Sequence, residues 1–138
     1  MKIRPLAEFE TELPYDGVEG DETVDFEEIV PGGRAICEAW SDILRPLGFE
    51  VSAPVQDDHG WRLMIKDRRR NYELFIAHLF ENECHLQARE LLGFWRRDDF
   101  ASFLTKLNSA LNADPRFRNV SWYGSLNDRT RTPTPVVE

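Results

Sequence analysis

Three runs in the middle third of the chain alternate apolar and polar positions with period two. They are Trp61, Leu63 and Ile65; Tyr72, Leu74, Ile76, His78 and Phe80; and Cys84, Leu86 and Ala88. Alternation of this kind puts one face of a strand in a core and the other in solvent, so these segments read as half-buried antiparallel strands. Asp67-Arg68-Arg69-Arg70, closed by Asn71, joins the first pair, and Glu81-Asn82-Glu83 joins the second. Parity sets the register. Pairing Ile65 with Tyr72 brings Leu63 opposite Leu74 and Trp61 opposite Ile76, whereas a one-residue slip would set Glu73 against Ile65. The second turn is expected to set Phe80 near Cys84 and His78 near Leu86. On the reverse face Arg62, Lys66, Glu73, His85, Gln87 and Arg89 read as wet. Met64, Phe75 and Leu79 interrupt that face, which calls for cover by the N-terminal segment or a partner.

Two helices flank the strands. Ile36, Ala39, Trp40, Ile43, Leu44 and Leu47 form one apolar stripe at helical spacing, and Phe100, Phe103, Leu104, Leu107 and Leu111 form another. Pro46 removes a backbone donor, so the first helix is predicted to end near Leu44 or Arg45, with Gly48 reversing the chain. Asp98 or Asp99 is predicted to cap the second, and Asp114-Pro115 to end it. A first strand is expected over Phe49 to Val55, with Pro54 marking an edge, and a last short strand at Val120 and Trp122. Both stripes need an apolar surface to cover, and the sheet offers a single one. The expected fold is a two-layer α+β sandwich, a four- to five-stranded antiparallel meander with two helices on one face, in the order α-β-β-β-β-α-β.

Charge divides the chain. Its 138 residues carry 25 acids and 17 bases, a net charge of −8. Ten acids but only Lys2 and Arg4 among the bases fall in residues 1–28, so the remainder of the chain is neutral. Pro5, Pro14, Gly17 and Gly20 break any continuous helix there, with a short edge strand through Val24 and Phe26 as the one candidate element. The expected organisation is an acidic, partly flexible leader over residues 1–30, an α+β domain over 31–124 and a flexible Thr- and Pro-rich tail over 125–138. The acidic balance argues against a nucleic-acid partner, because phosphate attraction needs a basic surface. No stretch approaches the roughly 20 apolar residues of a membrane span, and the N-terminus lacks the apolar core of a secretory signal, so cytoplasmic residence is expected.

Candidate chemistry is sparse. Cys37 and Cys84 show no disulfide spacing and are expected to be free thiols. His78 and Cys84 should share the apolar sheet face, but zinc needs three or four ligands and no third is available, so no metal is expected. A Cys–His nucleophile would need an orienting partner and an oxyanion hole, of which the sequence shows neither. Pro31-Gly32-Gly33-Arg34 opens a helix, where backbone amides can hold an anion, yet its spacing matches neither nucleotide-binding loop, and no cofactor is called for. Two basic clusters remain. Arg68, Arg69 and Arg70 crowd like charges onto a hairpin tip, and Phe94-Trp95-Arg96-Arg97 sets aromatics beside guanidiniums. Trp and Arg are enriched at binding hot spots, so Trp95, Arg96, Arg97, Arg68, Arg69 and Arg70 are the candidate binding residues.

The succession Pro31-Gly32-Gly33, Leu47-Gly48-Phe49, Gly60-Trp61 and Asp114-Pro115-Arg116 to Trp122 resembles small acidic bacterial α+β proteins of unassigned function, some of them toxin-immunity proteins. That resemblance implies a compact inhibitor rather than an enzyme, and transfers no functional residue. The expected function is a non-enzymatic protein-interaction module, an immunity-type inhibitor or adaptor for a basic protein partner. Homodimerisation is compatible with it. The alternative is a small-ligand-binding protein or enzyme with its site between sheet and helices near His78. The leader's acids are expected to fold back onto Arg68, Arg69 and Arg70.

Overall fold

The computed structural model describes residues 2–19, 28–80, 82–91 and 97–137. Along the chain run β1 (Lys2–Ile3), β2 (Leu6–Thr11), β3 (Val18–Glu19), β4 (Glu28–Val30), α1 (Arg34–Leu44), β5 (Glu50–Val51) and β6 (Val55–Gln56). There follow β7 (Trp61–Asp67), β8 (Arg70–Phe80), β9 (Glu83–Leu91), α2 (Arg97–Ala113), β10 (Phe117–Tyr123) and β11 (Val136–Val137). The alternating runs form the expected meander β7-β8-β9. Leu63 pairs with Leu74, Trp61 with Ile76 and Ile65 with Tyr72, the register that parity selects. The second hairpin differs from expectation by two residues: His78 lies opposite Cys84 and Ile76 opposite Leu86, with an irregularity before the Phe80–Glu83 pair. A shift of two keeps every side chain on its face, so the pattern of burial cannot detect it.

The sheet is larger than a four- to five-stranded meander, and its order differs. Seven antiparallel strands run β10-β2-β9-β8-β7-β5, with β6 beside β5 along the same edge of β7. The added interior strand is β2, from the segment read as an acidic leader. Its alternation, Ala7, Phe9 and Thr11 buried against Leu6, Glu8 and Glu10 half-buried, is the pattern of a strand with one core face. It pairs along its length with β9 on one side and β10 on the other. The β10 ladder slips between Arg118 and Ser121, where Asn119 takes a left-handed φ of 54° and donates from its side chain to Glu10 at 2.7 Å. The C-terminal segment is also tied in, through the β1–β11 pair and a bridge between Trp122 and Thr132. The edge strand read at Val24 and Phe26 lies outside the described residues.

Both helices cover one sheet face. Trp40 of α1 packs 5.2 Å from Phe9 and 5.9 Å from Phe117, ring centre to ring centre, while Phe103 of α2 stacks on Tyr72 at 4.5 Å. Trp122 donates its indole N–H to Asn108 of α2 at 2.9 Å. Ile36, Trp40 and Leu44 and the α2 residues Leu104, Leu107 and Leu111 are fully buried in this core. Each such side chain contributes about 1.5–3 kcal/mol relative to leaving it in water. The first helix ends at Leu44 and tightens into a 3₁₀ turn over Arg45–Leu47, and Gly48 reverses the chain at φ 98°. Leu47, read as part of the stripe, is instead half-exposed, because the 3₁₀ turn rotates it off the buried face.

Because β2 joins β9 to β10, the leader is predicted to be indispensable. Phe9→Ala should lower stability in urea by about 3–5 kcal/mol, the cost of emptying a buried aromatic position. A chain lacking residues 1–12 should show no cooperative unfolding transition.

Candidate functional site

His78 and both cysteines are sealed in the core. His78 is 2% exposed, its N–H bonded to the Gly32 carbonyl at 3.1 Å and its ring met edge-on by Tyr15 at 5.3 Å. Gly32 is needed there, since a Cβ would stand 2.5 Å from the His78 carbonyl oxygen. Cys37 and Cys84 are buried free thiols. Burial, aided by the charge of Glu83, pushes Cys84 up to about 12, and burial raises Cys37 further, so neither forms the thiolate a nucleophile requires. Among the described residues no group of three or more His, Cys, Asp or Glu could hold a metal ion. No helix there is long and apolar enough to cross a membrane.

The helix opening at Gly33 does hold an anion, and the anion is the chain's own. Asp16 accepts from the Gly33 N–H through Oδ1 and from the Ala35 N–H through Oδ2, each at 2.8 Å. A carboxylate here satisfies two orphan amides and opposes the positive end of the helix dipole. Gly33 has no side chain to cap with, and sequence spacing alone gave no hint that a residue 17 positions earlier would do so.

The hairpin tip forms a groove of about 830 Å³ between the β7–β8 turn, the Leu47–Phe49 turn and α2. Arg68 and Arg69 are exposed and form no ion pair among the described residues. Arg70 is held by Asp99 at 3.1 Å, and Lys106 of α2 sits 5.9 Å above the Phe49 ring. Among the described leader acids, Glu10 and Glu12 pair with Arg118, Glu8 pairs with Arg131 and Asp16 caps α1, while Asp21, Glu22, Asp25 and Glu27 lie outside the described residues. Asp98 and Asp99 occupy the first turn of α2, and Asp99 holds Arg70. Arg97, on the same turn, lies 5.8 Å over Phe100. Trp95 and Arg96 lie outside the described residues. Arg70 and Arg97 both bear on Glu90, whose carboxylate oxygens are shielded from solvent with no hydrogen-bond partner among the described residues. Desolvation dominates there, so the Glu90 carboxyl is raised above its ordinary 4.5 despite both arginines.

The uncovered sheet face is the surface that the sequence reading did not assemble. A single row crosses it, Tyr123–Leu6–Gln87–Phe75–Arg62–Val55, each member opposite the next. Leu6, Phe75 and Met64 are half-buried and Val55 is 57% exposed, although all face away from the helices. Beside them Glu73, expected to be wet, is 8% exposed because Arg62 and Arg89 both clamp it, at 3.1 and 3.0 Å. Arg62 also binds Asp57, which the Asp58 N–H and the guanidinium together hold below the usual carboxylate range. These groups border a depression of about 350 Å³ that includes His59 and Gln87. Toward the other end, Glu8, Glu10 and Glu83 gather around His85 and Ser121, with Glu10 directly opposite Glu83. The polar-face interruptions Met64 and Phe75 were the available signal; Leu6 was missed because its segment was not read as a strand.

No family model matches the chain, and no curated protein or solved structure shows significant similarity to it.

Two outcomes follow from this geometry. Removing the remote cap with Asp16→Ala should cost about 1–2 kcal/mol in urea or thermal unfolding. Glu90 acts in the opposite sense. A carboxyl raised in the fold makes the protein most stable below the unfolded value, and stability falls as pH rises through the folded value. Glu90→Gln should therefore stabilise at pH 7 by about 0.5–1 kcal/mol, and the gain should vanish as the pH approaches 4.

Proposed function

We propose that this chain is a non-enzymatic protein-interaction module that docks a basic protein through the open face of its sheet. One observation carries the reading: Leu6, Phe75 and Val55 recur along one cross-strand row of the sheet face away from the helices, interleaved with Gln87 and Arg62 and with Met64 beside them. An antiparallel sheet needs only one buried face, so core packing does not demand these side chains. Large apolar side chains interleaved with arginine are a composition that protein interfaces favour.

Charge indicates the partner. The net charge of −8 would steer a basic protein toward the molecule and repel an acidic one. Glu8, Glu10 and Glu83 stand on the same face, and the Glu10–Glu83 opposition is a like-charge pair that folding alone would disfavour. An inhibitor of the immunity type, neutralising a basic effector, is the sharpest form of this reading. It also fits the burial of His78, Cys37 and Cys84.

The test is a comparison of two baits. Wild-type protein exposed to lysate of its source organism should retain a basic protein, which is then purified and titrated against wild type and Phe75→Asp. The substitution should cost about 2 kcal/mol or more of binding, the scale of a central hot spot, with an unchanged urea midpoint. Equal affinity for both baits would remove the sheet face from the interface.

A further inference from the structure

A second, oppositely charged site stands at the other end of the strands, and it lies outside the sheet-face reading above. We infer that the groove between the β7–β8 hairpin tip and α2 binds a carboxylate-rich segment of another protein. The juxtaposition is specific. The turn places Arg68, Arg69 and Arg70 on one wall, α2 places Ser102 and Lys106 on the other, and Leu47 stands half-exposed at the rim. Four cations line this groove of about 830 Å³ with Asp67 and Asp99 as its acids among the described residues; Asp99 is already engaged by Arg70, on which Glu90 also bears. On a chain with a net charge of −8, that local excess of positive charge has no internal counterpart among the described residues.

The backbone gives independent support. Arg68 sits at φ 58°, in the left-handed region that a glycine or asparagine would occupy at no comparable cost. A two-residue hairpin turn ordinarily selects such residues. Strain of this kind persists where the side chain has a use, and the guanidinium it projects has five donors with no ion-pair partner among the described residues. Arginine forks bind carboxylates in bidentate fashion, which matches an acidic peptide.

Nucleic acid is disfavoured as the occupant. Binding single strands draws on exposed aromatic faces, whereas the groove's two rings, Phe49 and Phe103, are 5% and 2% exposed. Leu47, in contrast, offers an apolar contact suited to a peptide with a leucine or valine among its acids.

The test uses fluorescence anisotropy on the full chain with a fluorescein-labelled, glutamate-rich peptide carrying one leucine. Its analogue with glutamine at every glutamate and a labelled single-stranded oligonucleotide serve as the other probes. The acidic peptide should bind, its analogue at least tenfold more weakly, and binding should fall as salt rises above physiological strength. Arg69→Ala combined with Arg68→Gly should weaken the acidic peptide about tenfold. Arg68→Gly alone should weaken it too, while leaving the melting temperature unchanged or raising it by a few degrees, because the strain is relieved. A purely structural turn would show the second effect without the first. Equal binding of the peptide and its neutral analogue, full binding by the double variant, or tighter binding of the oligonucleotide would each overturn the inference.

Discussion

The fold depends on one long-range pairing: β2 inserted between β9 and β10. Without it the meander would end at an open β9 edge, and β10 would have no neighbour in the sheet. The insertion also sets Phe9 under Trp40 and near Phe117, so that β2, the first helix and the last long strand meet in one aromatic contact. From β2 the chain passes directly to Tyr15 and Asp16, which seal His78 and cap α1. The N-terminal acids thus do structural work at two places before any partner is considered. Pairing of segments so distant in sequence must repay its loop-closure entropy late, which marks this as a slow-folding topology.

Electrostatics is divided between internal and outward uses. Arg62 and Arg89 are consumed by Glu73, Arg118 by Glu10 and Glu12, Arg131 by Glu8, and Arg116 by Asp114. These are mostly exposed pairs, of small individual worth, but together they fix the side chains that border the open sheet face. Arg68 and Arg69 are the contrasting case: they form no ion pair among the described residues, and Arg68 takes a left-handed φ at the turn. The two ends of the strands therefore differ in sign: Glu10 and Glu83 at one end, the arginine tip at the other. A molecule polarised in this way suits recognition of two chemically different surfaces.

Potentially reactive groups are disarmed by packing. The thiols lie on buried faces where ionisation is disfavoured, and the amides at the start of α1 are already occupied by Asp16. The proposal of a binding role accordingly rests on surface shape and charge.

Period-two and helical spacing in the sequence determined the meander, its first register, both helix stripes and the shared apolar face, because each is dictated locally by which side chains must leave water. The end of α1 at Leu44 and the reversal at Gly48 were legible for the same reason, since proline and glycine act on their own backbone. Tertiary structure alone decided the strand order, because alternation in Leu6–Thr11 specifies a strand but not its neighbours, and ten acids masked even that. It likewise decided the two-residue offset of the β8–β9 hairpin, which preserves parity, and the capping of α1 by a distant aspartate. Of the candidate sites, the arginine tip was visible as a charge run, but its groove needed α2 and the Leu47–Phe49 turn to give it walls. The row across the open face that carries Leu6, Phe75 and Val55 came from six separate strands. No local pattern records such a row, since cross-strand neighbours are set by register and order rather than by sequence distance.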